Sequence, residues 1–292
     1  GRQPRLGPRH AERQPRLCGP YSVISPFGMG GLGSGFGGGG GGGFSPASLF
    51  AGGTEGAWYD PSDLTTLFQD SAGTTPVTTA GQPVGLMLDK SGRAHHAIQS
   101  TPSKRPTYTT GSGLAWLAFD GVDDAMSTGG IDFTGTDKAT VFAGLRKLSE
   151  AATGLLFETS AAADANNGAF ALATPTASAA NSFSFVGRGT TTSANATANA
   201  LTAPQTAVLT GLLDIAGPLN RTRKNGVDVA TVTTTLGTGN FGNYALNLGA
   251  RSGTSIFFNG NLYGLIMPGK LASAAEIAPT ETYLAAKSGV TL

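Results

Sequence analysis

Asp120, Asp123 and Asp124 form the densest group of acids in a chain of 292 residues. Carboxylates crowded into one turn are hard oxygen donors, and Ca²⁺ takes about six to eight oxygen ligands. Asp also closes Asx-turns, so the trio has an equally direct structural reading. Glycoside hydrolysis needs two carboxylates roughly 5–10 Å apart, which a strand supplies from acids at alternate positions. The Glu residues are Glu12, Glu55, Glu150, Glu158, Glu276 and Glu281, and no Glu-x-Asp-x-x-Glu pattern occurs. His95 and His96 are adjacent and point to opposite sides of an extended segment, while His10 lies far away, so no zinc site is expected. With no Gly-x-Ser-x-Gly elbow either, the chain reads as a non-enzyme. Non-catalytic sugar binding uses an exposed aromatic platform; Trp58, Tyr59, Tyr108 and Tyr244 are the candidates, although large aromatics are more often core.

The elements that would position these groups are strands. Glycine accounts for 45 residues and Asp, Glu, Lys and Arg for only 13%, which argues against a charged helical bundle or charge-driven disorder. Hydrophobic residues at 39%, including 15 Phe, are enough for a sizeable core. Period-two alternation recurs in Leu114, Trp116 and Ala118; Val141, Ala143 and Leu145; Phe183 and Phe185; Val227 and Val229; and Tyr244, Leu246 and Leu248. Each set shares one face of a strand. Asn225-Gly226 and Asn259-Gly260, flanked by apolar runs, read as hairpin turns. Only the C-terminus is helical: Ser273 to Glu276 has the form of a capping box, Thr280 to Lys287 continues it, and Gly289 stops it. Pro279 marks a kink or a fresh first turn.

Residues 1–27 form a basic N-terminal tail, in which Arg2-Gln-Pro-Arg-Leu6 repeats as Arg13-Gln-Pro-Arg-Leu17. Five Arg and one Glu in residues 1–20 leave 14 Lys plus Arg against 17 Asp plus Glu in the rest. Such a tail could touch phosphates or acidic surfaces, but two proline-containing pentapeptides are a weak motif and a nucleic-acid partner is not expected. Residues 28–44 read as a glycine-rich linker, with twelve glycines in the sixteen positions from Gly28 to Gly43. Phe27, Met29, Phe36 and Phe44 punctuate it and could anchor it in a neighbouring subunit. Cys18 is the only cysteine, so no intrachain disulfide is available. No apolar run reaches the ~18 residues that span a bilayer, and no membrane partner is expected.

The segments Phe119-Asp-Gly-Val-Asp-Asp124, Thr140 to Arg146, Arg223-Lys-Asn-Gly-Val227, Leu246 to Arg251 and Phe258 to Ile266, followed by Ala275-Glu-Ile277, together resemble the concanavalin A-like, laminin-G-type jelly roll. That resemblance covers roughly residues 110–289 and implies an all-β, antiparallel β-sandwich with a short C-terminal helix over 110–292. It also implies that the Asp120 turn belongs to the first hairpin, with Ca²⁺ as the conceivable cofactor. Tyr59 to Asp70, with Gly73 to Val77, Gly81 to Gly85, Asp89 to Gly92 and Tyr283 to Val290, is similar to the leader and end of virion proteins of tailed bacteriophages. Residues 45–109 then read as a leader or accessory segment. This second resemblance implies a structural component of a phage particle, whether decoration, fibre or tail-associated, located in the virion. Its partners would be other virion proteins and copies of itself, a trimer by analogy. The alternative is a carbohydrate-binding module or receptor-binding adhesin, with a host-surface glycan as partner.

Overall fold

The computed structural model describes residues 1, 43–190 and 192–292. After a short 3-10 segment at Pro46–Gly53, the described chain forms seventeen strands and one α-helix. The strands are β1 (Gly56–Tyr59), β2 (Leu67–Phe68), β3 (Leu86–Met87), β4 (Ala97–Ile98), β5 (Thr107–Gly111), β6 (Leu114–Asp120), β7 (Met126–Asp132), β8 (Lys138–Lys147) and β9 (Leu155–Thr159). They continue as β10 (Phe170–Ala173), β11 (Phe183–Arg188), β12 (Ser193–Ala198), β13 (Gln205–Asp214), β14 (Leu219–Lys224), β15 (Val227–Val232), β16 (Asn243–Leu248) and β17 (Asn259–Pro268). Helix α1 spans Ala274–Ser288.

All pairings are antiparallel. One sheet of eight strands runs β15-β14-β13-β8-β17-β6-β5, with β1 also on β17, and a second of nine runs β12-β11-β10-β9-β16-β7-β4-β3-β2. Between them lies the main core, built from the inward residues of both sheets: Val141, Ala143 and Leu145 from β8, Leu209 and Leu213 from β13, Phe183 and Phe185 from β11, and Leu246 and Leu248 from β16. The protein is a two-sheet antiparallel β-sandwich of jelly-roll type with one short C-terminal helix.

The two faces of the eight-stranded sheet explain why its central strands are buried at nearly every position. Phe142, Val208 and Ile266 alternate with the core-facing set and point outward, where Leu49, Phe50, Leu284 and Ala285 cover them. Helix α1 is anchored there. The Ser273 N–H donates to Glu276 Oε2 at 2.8 Å, and Gly289 takes φ +68° to end the helix. Pro279 sits inside α1, which continues through it.

Two local expectations resolve differently. Asn225 and Gly226 have φ +49° and +81°, the pair a type I′ hairpin requires, and join β14 to β15. Asn259-Gly260 instead opens β17, where Asn259 pairs with Asp120 and Gly260 with Phe119. A Cβ at Gly260 would lie 2.3 Å from the Arg146 carbonyl oxygen and 2.4 Å from the Phe258 ring. That glycine answers to close packing, not to a turn. Residues 45–109 supply β1 to one sheet and β2, β3 and β4 to the other, and β5 runs from Thr107 to Gly111 across the position where the leader was expected to end.

Candidate functional site

The outer face of the nine-stranded sheet carries a groove of about 250 Å³. Its floor follows from strand alternation. On β10 and β11, Phe170, Leu172, Phe183 and Phe185 point into the sandwich, so Ala171, Ala173, Ser184 and Val186 face out and line the groove. On β12, Asn195 and Thr197 lie on the same face and are exposed. Short side chains keep the floor low, and Thr197 Oγ1 donates to Ser184 Oγ at 2.9 Å.

One end of the groove is built around a buried acid. Glu158 on β9 is fully buried, and both of its oxygens are taken: Oε1 accepts from Arg251 Nη2 at 2.7 Å and from the Ala163 backbone N–H at 2.7 Å, while Oε2 accepts from Arg251 Nε at 3.0 Å. Such a fork-to-fork pair fixes the guanidinium in one plane. Burial is compensated by pairing, and Glu158 holds Arg251 above its ordinary pKa. Arg251 Nη2 also lies 3.2 Å from Asp164 Oδ1, and the Asp164 side chain is 66% exposed.

Backbone geometry concentrates around this end. Ser160, Ser252 and Ile256 take φ +73°, +50° and +53°. For a β-branched residue the left-handed region costs roughly 1–2 kcal/mol, and Ile256 is held there by a short loop. The Arg251 N–H donates to the Ser255 carbonyl at 2.8 Å, and the Leu155 N–H donates to the Ile256 carbonyl at 3.2 Å. Arg251 and Ile256 both line the groove.

The acidic trio is together in space, with one carboxylate oxygen from each of Asp120, Asp123 and Asp124 within 4.8 Å of the others. Its hydrogen bonds are those of an Asx-turn. Asp120 Oδ1 accepts from the N–H groups of Val122 at 2.7 Å, Asp123 at 3.2 Å and Asp124 at 3.4 Å, and Asp124 Oδ2 accepts from the Asp120 N–H at 3.0 Å. Burial, reinforced by the charges of Asp120 and Asp123, pushes the Asp124 carboxyl up to about 7. Three carboxylates would give Ca²⁺ about half of the oxygens it takes.

The aromatic candidates are not gathered into a platform. Tyr59 and Tyr108 point into the sandwich core. Trp58 is buried against α1, 6.1 Å from the Tyr283 ring and under Lys90, whose Nζ is 4.7 Å from the indole centroid. Strand alternation turns Tyr59 into the core and leaves Trp58 on the opposite face, where the helix covers it. Tyr244 is half-buried at the edge of the apolar cluster beside the groove, and its hydroxyl donates to the Asn167 carbonyl at 2.7 Å. Phe44 is half-buried; Phe27, Met29 and Phe36 lie outside the described residues. His95 Nε2 is 2.6 Å from Glu55 Oε1, and His96 Nδ1 accepts from the Asp89 N–H at 3.1 Å.

Sequence reasoning did not single out Glu158, Asp164, Arg251, Asn195 or Ile256 as a site. One signal was present: Glu158 is an isolated acid in the apolar strand Leu155-Leu156-Phe157-Glu158-Thr159. A charge in such a run is either a break in burial or a paired group.

Among solved structures the chain is similar to the binding domain of botulinum neurotoxin serotype G, at 8% identity and TM-score 0.53, over 68% of this chain and 48% of that one. Likeness also extends to a K499G mutant of NanB sialidase from Streptococcus pneumoniae, at 17% identity and TM-score 0.40, over 52% of this chain and 27% of that one. The CBM40 of the Ruminococcus gnavus IT-sialidase matches at 17% identity and TM-score 0.39, over 51% of this chain and 95% of that one. No family model matches, and no curated protein matches. The chain spans 27% and 48% of the first two solved structures it matches. At 8% identity the likeness to the serotype G binding domain shows the fold alone, a jelly-roll β-sandwich.

Proposed function

We propose that this chain is a non-enzymatic carbohydrate-binding module whose site is the groove on the outer face of the nine-stranded sheet. The observation that carries the reading is the combination of a low floor of small and hydroxyl-bearing side chains with a guanidinium locked in place by a fully buried carboxylate. Sugars present C–H patches and dense hydroxyls. Val186 and Ile256 can cover the former, while Asn195, Thr197 and Arg251 offer fixed partners for the latter. Glu158 serves here to orient Arg251, since both of its oxygens already accept from N–H donors.

A glycan array with the full chain is the direct test. Binding at millimolar glycan or below is expected, and so is its loss in Asn195→Trp, which fills the groove from an exposed position without touching the buried pair. Absence of binding across the array, or binding unchanged in Asn195→Trp, removes this site.

A second reading, a structural component of a phage particle, is favoured by the sequence resemblance of Tyr59 to Asp70, Gly73 to Val77, Gly81 to Gly85, Asp89 to Gly92 and Tyr283 to Val290, and rests on that resemblance alone. On it the glycine-rich Gly28 to Gly43 would tether the sandwich to other virion proteins, with self-association into a trimer by analogy. The two readings are compatible, because a displayed jelly roll can also bind a host glycan.

A further inference from the structure

The charges at the Arg251 end of the groove narrow the class of glycan, an inference that rests on reading the groove as a glycan site. Glu158 and Arg251 neutralise one another as a bidentate pair, with the acid fully buried. Asp164 adds a second carboxylate at the mouth, 66% exposed and 3.2 Å from Arg251 Nη2. Arg188 does not line the groove. Its guanidinium donates to the Asp164 backbone carbonyl at 3.0 Å and to Asn167 Oδ1 at 3.2 Å, and keeps its positive charge outside the lining. Among the residues that line the groove there are two acids and one base, and the exposed member is Asp164.

We propose that the groove selects neutral glycans and that Asp164 is the residue that rejects acidic ones. Arg251 lines the groove as a donor, while Asp164 stands beside it as an acceptor. A hydroxyl both donates and accepts, so a neutral sugar can satisfy the two together. A sugar carboxylate accepts only. To reach the guanidinium it must take Nη2 from Asp164 and then sit against that residue's charge, in a setting where Glu158 has already discharged the Arg251 cation. Specificity of this kind works by a built-in repulsion against the wrong ligand.

The experiment compares oligosaccharides of glucose, galactose and mannose with glucuronic- and galacturonic-acid oligosaccharides, first on an array and then by titration of the best member of each class. The full chain is expected to bind the neutral class about tenfold or more tightly, the scale of one nearby like charge partly screened by water. In Asp164→Asn the acidic-to-neutral affinity ratio is expected to rise about tenfold, and melting curves of the variant check that its fold is intact. Equal or tighter binding of uronic acids by the unaltered chain overturns the proposal while leaving the glycan site standing. So does a ratio that Asp164→Asn leaves unchanged. Absence of any glycan binding removes the site itself, and the proposal with it.

Discussion

At the scale of single residues, the clearest consequence concerns Asp124. Its folded carboxyl keeps a proton up to about pH 7, because it is buried and faces Asp120 and Asp123, whereas an unfolded aspartate releases its proton near pH ~3.9. Between those values the native state binds the extra proton, so stability falls as pH rises from about 4 to 7, and the penalty is complete above 7. Asp124→Asn keeps an acceptor for the Asp120 N–H and removes the charge. Melting curves across pH 4–8 should lose most of this slope in the variant, which should melt roughly 2–4 °C above the unaltered protein at pH 8, on the order of 1 kcal/mol. A slope identical in both proteins would show that Asp124 is ionised throughout. We propose Ca²⁺ as the ligand that would reverse the sign: a cation on the trio favours ionised Asp124, so added Ca²⁺ should raise the melting temperature at pH 8 and EDTA should undo the gain.

At the scale of elements, α1 is held to the eight-stranded sheet by more than apolar contact. Glu281 on the helix is 2% exposed. It accepts from Thr210 Oγ1 on β13 at 2.8 Å and from Arg223 Nε and Nη2 on β14 at 2.9 and 3.2 Å. Arg223 in turn pairs with Asp228 on β15, so one acid joins the helix to successive strands of the sheet. Breaking a buried pair by removing one partner leaves the other uncompensated. Glu281→Ala should therefore cost about 3 kcal/mol, measured by denaturant unfolding, with faster hydrogen exchange in α1. A loss below about 0.5 kcal/mol would mean that apolar contacts from Leu284 and Ala285 alone seat the helix. The strand pattern was legible because the core-facing and outward residues of β8 and β11 keep period two, whereas on β16 a register shift between Ala245 and Asn247 sets Tyr244 in the cluster beside the groove and Leu246 and Leu248 in the core. The faces were not all legible: Val227 and Val229 share a side as expected, yet it is the solvent side, 63% and 38% exposed, while Ala230 and Val232 pack on the core.

At the scale of the whole molecule, residues 43–292 form one compact unit. Among the described residues, the clusters that make its cores begin at Leu49. A fragment starting at Gly43 is accordingly expected to melt within about 2 °C of the full chain, the spread of a surface change without a named destabilising mechanism. The virion reading adds that this fragment should fail to enter particles. Incorporation equal to that of the full chain would sink the tether, and a large fall in melting temperature would show that residues 1–42 contribute to the folded core.

What the amino-acid sequence determined by itself was the class of structure. Glycine-rich turns, sparse charge and period-two alternation act locally, through backbone sterics and the two faces of a strand, so an all-β sandwich ending in one capped helix can be read from neighbouring residues. The Asp120 turn is local in the same sense. The groove is not. Glu158 meets Arg251 across 93 positions of sequence, and the floor between them comes from β10, β11 and β12 laid side by side. Which acid is paired, which aromatic is hidden and which short side chains form a floor depend on strand order and register. Those are fixed by how the whole chain buries its apolar surface, and only the tertiary structure decided them.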